Sequence, residues 1–183
     1  MNAKKRCSTA FAELMQGHSF DDISIDMILK EADVSRSTFY RHFRDKYDLL
    51  TWSYFENTKS FLWNSNHPTY EYILKDLCVF LKDNYAFYKK AYTIEGTNSF
   101  SESLYQTSIR MAVERYHKIH HTDEVPLKDR IMFEYGAKGT LWIIEQWIQK
   151  GAVEKPEDIA HYIYLSFSDE YRMFVDDALH DMN

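Results

Sequence analysis

Arg36, Ser37, Thr38, Tyr40, Arg41 and His42 crowd hydrogen-bonding and cationic side chains into one short stretch. These residue types in this spacing suit recognition of a polyanion whose edges carry a donor and acceptor pattern. A guanidinium is a planar fork that can donate twice to O6 and N7 of guanine. A threonine offers a hydroxyl, or a methyl for the face of thymine. Arg36 and Ser37, at the start of the stretch, are placed to read base edges, with Thr38 beside them. Tyr40 and His42 suit phosphate oxygens, as does Lys46 at the amide-rich start of the following helix, and Arg41 is a further outward donor. A merely solvated helix would more often carry Glu and Lys pairs, so packing supplies no reason for this face.

Such a set works only if a short helix presents it, and the flanking residues supply one. Ser35 is an N-cap, its hydroxyl available to a free amide of the first turn, and the helix is expected over Arg36–Phe43 with Phe39 and Phe43 turned inward. Ser24 caps a preceding helix over Ile25–Ala32, with Ile25, Ile28 and Leu29 inside. Asp33-Val34 forms the tight turn between them, Asp being one of the few side chains that tolerate a left-handed backbone. Two short helices joined in this way place the second where a major groove can receive it. Upstream, a helix over Asn2–Gln16 sets Cys7, Ala10, Phe11, Leu14 and Met15 on one face and stops at Gly17. Downstream, Asp45 caps a fourth helix carrying Leu49, Leu50, Trp52, Phe55, Phe61 and Leu62 up to a break at Asn64–Pro68.

The formal net charge of −6 looks unsuited to a polyanion partner. Its distribution resolves the conflict. Residues 1–50 hold eight Lys/Arg against eight Asp/Glu, while the other 133 hold 14 against 20. Within Ser35–Tyr47, Arg36, Arg41, Arg44 and Lys46 face Asp45 alone. A local positive patch is what a phosphate backbone responds to, and an acidic remainder discourages nonspecific binding.

The run Phe20-x3-Ser24-x3-Ile28-x3-Ala32-Asp33-Val34-Ser35-Arg36-Ser37-Thr38-Phe39-Tyr40-Arg41-His42-Phe43-Arg44-Asp45-Lys46-x2-Leu49-Leu50 closely resembles the DNA-binding head of the TetR/AcrR family of transcriptional regulators. Asp33 departs from that pattern, which usually has Gly at this place. A second stretch, Gly136-x2-Gly139-x7-Trp147-x3-Gly151 followed by Lys155-Pro156-Glu157-Asp158-Ile159-Ala160, resembles the last two helices of a subgroup of that family. The subgroup contains the activator of a dihydroxyacetone kinase operon. The resemblance implies an all-α, TetR-like fold of about nine helices: a helix-turn-helix domain over residues 1–46 and a larger helical domain over 47–183 for effector binding and dimerisation. It implies a homodimer on a palindromic double-stranded operator, a repressor released by a small-molecule effector, with Ser24, Ser35, Arg36, Ser37, Thr38, Tyr40, Arg41, His42 and Lys46 at the DNA. It further implies that Gly136, Gly139, Ile143, Trp147, Phe167 and Phe174 pair with a second copy. The basic start Lys4-Lys5-Arg6 is either an arm on flanking phosphates or a solvated terminus. The alternative function on the same fold is a coregulator that contacts another protein without specific DNA binding.

The remainder reads as a second block of helices: Thr69–Lys82, a short aromatic stretch Tyr85–Tyr92, Ser99–His120 after a turn at Gly96–Asn98, Pro126–Lys150, and a single last helix from Pro156. With 45% hydrophobic and 16% aromatic residues a real core is affordable, and five Gly with three Pro argue against a loop-rich β fold. Tyr88, Tyr92, Phe100, Tyr105 and Trp142 are candidates to line an effector pocket, against the reading that such aromatics are ordinary core. His117, His120 and His121 sit where a helix end favours His for dipole reasons, and no metal or other cofactor is expected. No nucleophile with its base, no paired carboxylates and no Gly-rich phosphate loop are present, so an enzyme is not expected. Cys7 and Cys78 lack CxxC spacing and lie among apolar neighbours, which predicts buried, reduced thiols. With no run of about 20 apolar residues and no basic-then-apolar start, the expected location is the cytoplasm, away from the membrane.

Overall fold

A computed structural model describes residues 2–62, 67–96 and 99–180. Among the described residues there are ten α-helices and no strand: α1 Ala3–Gly17, α2 Ile25–Ala32, α3 Arg36–Tyr40, α4 Lys46–Leu62, α5 Tyr70–Asp83, α6 Tyr85–Ala91, α7 Phe100–His120, α8 Leu127–Gln149, α9 Pro156–Ser166 and α10 Asp169–His180. The expected breaks at Asn64–Asn66 and Thr97–Asn98 lie outside the described residues.

Short-range rules set most of these boundaries. Asn2 caps α1 by accepting from the Lys5 amide, Ser24 caps α2 through the Met27 amide, and Ser35 caps α3 through the Thr38 amide. The Asp45 carboxylate accepts from the Asp48 amide at 2.8 Å and starts α4. Gly151, with φ +105°, ends α8 in the left-handed region where a glycine carries no Cβ penalty.

Two boundaries differ from the periodic pattern. The third helix stops at Tyr40 rather than Phe43: beyond it the His42 and Phe43 amides both turn back to the Phe39 carbonyl, tightening the chain so that Phe43 is buried. The last helix is two. Phe167 takes an extended backbone (φ −70°, ψ 144°), and the Ser168 hydroxyl accepts from the Tyr171 amide to restart the chain as α10. Ten helices therefore stand where about nine were expected.

The chain divides into two compact units, Met1–Asn57 with Asn84–Phe100, and Thr58–Asp83 with Ser101–Asn183. In the first, α1 packs on α2, α3 and α6. Its core is Cys7, Phe11 and Met15 from α1, Phe20 and Ile23 from the connection, Ile28 and Ala32 from α2, Val34 from the turn, then Phe39, Phe43, Leu49 and Leu50. Each large side chain so buried contributes about 1.5–3 kcal/mol. Ile25 and Leu29 are only half-buried, and Ile23 takes the interior place instead. In the second unit α5 lies along α9, with α8 against both and α10 against α5 and α8. Ile73, Leu74, Leu77, Leu81, Phe133, Ile144, Trp147, Ile148, Ala160 and Ile163 form its interior. A Cβ on Gly136 would run into the Tyr171 ring, so this glycine is what lets α8 and α10 approach.

Candidate nucleic-acid interface

The turn of the helix-turn-helix is built at Asp33, which sits at φ 48°, ψ 54°. Its amide returns to the Lys30 carbonyl and the Val34 amide to the Leu29 carbonyl at 3.1 Å, closing α2. The left-handed conformation is a strained one for a residue other than glycine, and it is held here by those bonds and by Arg6, whose guanidinium lies 3.7 Å from the Asp33 carboxylate. Val34 fills the angle between α2 and α3.

Inside α3, Phe39 is fully buried and packs against Phe43 at 5.4 Å between ring centroids. That anchor fixes which side of a five-residue helix faces out. Arg36, Ser37, Tyr40, Arg41 and His42 are all exposed, and Thr38 is half-buried. Tyr40 leans edge-on to Phe39, and His42 stands beside Phe43. The Ser35 hydroxyl donates to Thr38 Oγ1 at 2.9 Å and lies 3.2 Å from that of Ser37. Ser24 and Ser35 thus spend their hydroxyls on their own helices. The six outward residues stand together; the chemistry available to them is donation of N–H and O–H groups to acceptors laid alongside α3.

The cations around this face are less free than their sequence positions suggest. Arg36 Nη2 donates to Asp26 Oδ1, on α2. Lys46 donates its N–H groups to the carbonyls of Phe20, Asp21 and Ile23 at 2.7, 3.3 and 2.9 Å, with its ammonium 4.4 Å from the Phe20 ring centroid. Burial there lowers its pKa from the ordinary lysine value, against the opposing pull of Asp21 and Asp22. In this structure Lys46 ties down the connection between α1 and α2. The basic start is engaged as well: Lys4 lies over the Trp52 and Phe43 rings, Lys5 pairs with Glu56 at 3.4 Å, and Arg6 with Asp33. Arg41 and Arg44 are exposed, Arg44 with its backbone amide donating to Asp48.

Two residues that carry no local signal also shape the head. Asp26 is an exposed residue of α2, and only the fold brings it to Arg36. Lys90, in the last turn of α6, donates to the carbonyls of Met15, Gln16 and His18 at the end of α1. Lys90 and Lys46 between them donate to six carbonyls from Met15 to Ile23, both from later in the sequence.

The remaining expected groups are distributed as follows. Tyr88, Tyr92 and Phe100 are buried together in the first unit with Tyr54, their centroids 5.1 to 6.1 Å apart along the chain of contacts. Burial pushes the Tyr88 hydroxyl far above the usual tyrosine pKa, against a hydrogen bond with Asn57. Tyr105 belongs to the second unit, under the Lys138 ammonium at 4.7 Å, and Trp142 is 60% exposed on α8. Of the six residues expected at a dimer interface, Gly136, Trp147 and Phe167 are buried within the chain's own second unit, and Phe174 stacks on Phe133. Gly139 has open space beside it. What α8 leaves exposed is Leu127, Ile131, Tyr135 and Trp142, accompanied by Tyr162 and Leu165 of α9 and Met173 of α10. Both cysteines are buried, and burial pushes the Cys78 thiol up to about 12, too high for reactivity. Among the described residues no three His, Cys, Asp or Glu converge to hold a metal ion, and no helix is long and apolar enough to cross a membrane.

Residues 9–51 match the family model described as bacterial regulatory proteins, tetR family, and residues 69–169 match one described as transcriptional regulator C-terminal region. The chain is 34% identical over 94 residues to the HTH-type dhaKLM operon transcriptional activator DhaS of Lactococcus lactis subsp. lactis (strain IL1403), a match that spans 50% of this chain and 50% of that protein. Its fold is similar to the solved structure of a dihydroxyacetone kinase operon activator DhaS, with a TM-score of 0.57 and 26% identity, covering 88% of this chain and 91% of the other.

Proposed function

We propose that this chain, which belongs to the TetR family of transcriptional regulators, binds a palindromic operator as a homodimer through Arg36–His42 and represses transcription until a small-molecule effector releases it. The family is one of regulators, not enzymes. The observation that carries the reading is the outward side of α3 and the turn after it, where five exposed donors, Arg36, Ser37 and Tyr40 on the helix and Arg41 and His42 just beyond it, stand around the fully buried Phe39. In this reading Arg36, Ser37 and Thr38 address base edges, and Tyr40, Arg41 and His42 address phosphates. Two heads would then meet half-sites about 34–36 Å apart or a multiple of it.

The exposed apolar residues of α8, α9 and α10 support the homodimer. Leu127, Ile131 and Tyr135 follow one another at i+4, with Trp142 further along the same side of α8. Exposed apolar residues grouped along one side of a helix suit an interaction site, and a stable dimer needs about 800 Å² from each partner. We place the seam there, with Gly139 and Ile143 beside it, rather than at the buried Gly136, Trp147 and Phe167. The buried cluster of Tyr88, Tyr92 and Phe100 is the candidate effector site. It includes α6, which packs on α1 and holds its end through Lys90. An effector that prefers one arrangement of those helices would shift operator affinity by that preference and no more. The relatives are named activators, which favours activation as the alternative sign of control.

Selection of random duplex DNA on the purified protein tests the reading. Enrichment of a palindrome, with Arg36→Ala weakening its binding by about 1–3 kcal/mol, supports it; equal binding by Arg36→Ala and the parent removes Arg36 from the bases. A second reading, a coregulator acting through protein contact, is favoured by the internal engagement of Lys46 and Lys4–Arg6, and it predicts that no palindrome is enriched.

A further inference from the structure

We infer that Asp26 is a positioning residue for base recognition: its carboxylate orients the Arg36 guanidinium so that the free edge of the fork meets one base pair of each half-site. The inference rests on the proposed reading of bases by Arg36.

The pair joins residues ten apart in sequence, one in the first turn of α2 and one at the start of α3, across the turn at Asp33. Its side chains are 56% and 72% exposed, for Arg36 and Asp26 respectively. Ion pairs this exposed add little to stability, so the fold has small need of it. Nor does the local helix favour Arg36. A cation at a helix start meets the positive end of the dipole, whereas Asp26 near the start of α2 has the favourable sign. What the pair does accomplish is geometric. A guanidinium is planar and rigid, so a hydrogen bond from Nη2 to the Asp26 carboxylate restricts where the whole group can lie. The contact falls on Nη2, and the guanidinium has further N–H groups on Nη1 and Nε; adjacent N–H donors of this fork have the geometry that guanine O6 and N7 accept. A side chain ordered before the encounter loses less rotamer freedom on binding. Asp26 also carries a negative charge beside a polyanion, so its removal alone would tighten binding to every sequence. Affinity by itself is therefore ambiguous, and base preference is the quantity that isolates the positioning role.

The test is selection from one random duplex pool on the full-length parent, Asp26→Ala, Asp26→Asn, Arg36→Ala and the double variant, with base preference scored at each position and Tm recorded for each protein. Arg36→Ala is expected to lose the preference for guanine at one position per half-site. Asp26→Ala is expected to lower preference at that same position by about two- to fivefold, with the other positions and Tm unchanged. Asp26→Asn, which keeps an acceptor, should recover part of the loss, and the double variant should show no less preference than Arg36→Ala. Unchanged preference in Asp26→Ala, with or without tighter binding overall, overturns the inference while leaving Arg36 as the base reader. If Arg36→Ala keeps the parental preference everywhere, or the parent enriches nothing, the base-reading assignment falls and this inference with it.

Discussion

Much of the positive charge of the first unit is paired within that unit, whereas the second leaves apolar area uncovered. In the first, Arg36 meets Asp26, Arg6 meets Asp33, Lys5 meets Glu56, Lys4 lies on aromatic rings, and Lys46 and Lys90 cap carbonyls. Among its described residues the large apolar side chains are buried or half-buried, apart from Tyr40 on the outward face of α3. In the second, Tyr135 is 80% exposed, and Leu127, Trp142, Tyr162 and Met173 are all more than half exposed. The contrast teaches which unit is self-sufficient. A small helical head must be rigid to present a five-residue helix, and charged side chains that bond to backbone carbonyls give rigidity without adding volume to the core. The second unit carries its exposed apolar residues on α8, α9 and α10, which is where the proposed seam is placed.

Four experiments bear on that contrast, beginning with the largest effect. Phe39→Ala should cost about 3–5 kcal/mol by emptying the anchor of α3. Chemical denaturation should show a loss of that size, and a loss below about 1 kcal/mol would mean the head does not depend on its core as described. Trp142→Asp should weaken self-association by about 2 kcal/mol or more, since it sets a charge in an apolar interface. Analytical ultracentrifugation reads the shift, and an unaltered association constant would move the seam away from α8.

Lys46→Met separates phosphate contact from structural support. Removing the ammonium takes a donor from the Ile23 carbonyl and leaves the Phe20 carbonyl with the Ile23 amide alone, at a cost of about 1–3 kcal/mol in Tm-derived stability. A variant that keeps its stability and loses only salt-dependent DNA affinity would show that Lys46 serves the phosphates instead.

The smallest effect is in the second unit. The Tyr164 hydroxyl donates to Asp176 Oδ2 at 2.6 Å, while the other Asp176 oxygen accepts from the Tyr70 amide. Burial, then the hydrogen bond and charge of Asp176, push Tyr164 from the ordinary 10 up to about 12. A raised folded-state pKa means the stabilisation is fully present below pH 10 and lost as pH rises through about 12. Tyr164→Phe should therefore be slightly less stable at neutral pH and lose less stability between pH 10 and 12. An identical alkaline slope in both proteins would show that this clip between α9 and α10 is not linked to the tyrosine proton.

The local architecture of the head was legible because its determinants act within four residues. Ser24, Ser35 and Asp45 announce their helices by capping chemistry, Asp33 announces a left-handed turn, and Phe39 and Phe43 announce the inward face by spacing. The same residues disclosed the six donors of α3 and the turn after it. The last two helices were misread as one because the apolar period runs on through Phe167. The break there comes from a serine hydroxyl at Ser168 meeting the Tyr171 amide, a cap indistinguishable in sequence from an exposed serine in a helix.

What the sequence alone determined was the fold class, the place of the helix-turn-helix and the residues outward on α3, since caps and periodicity are local and the family pattern is dense there. Tertiary structure decided which cations are available and which apolar faces are used up. Asp26 reaches Arg36, Lys46 turns back to Phe20–Ile23, Lys90 closes the end of α1 from 72 to 75 positions away, and Gly136 meets Tyr171 of its own chain. Each depends on distant segments arriving at one point, and neither charge sign nor hydrophobic period encodes which of several acceptors a long flexible side chain will find.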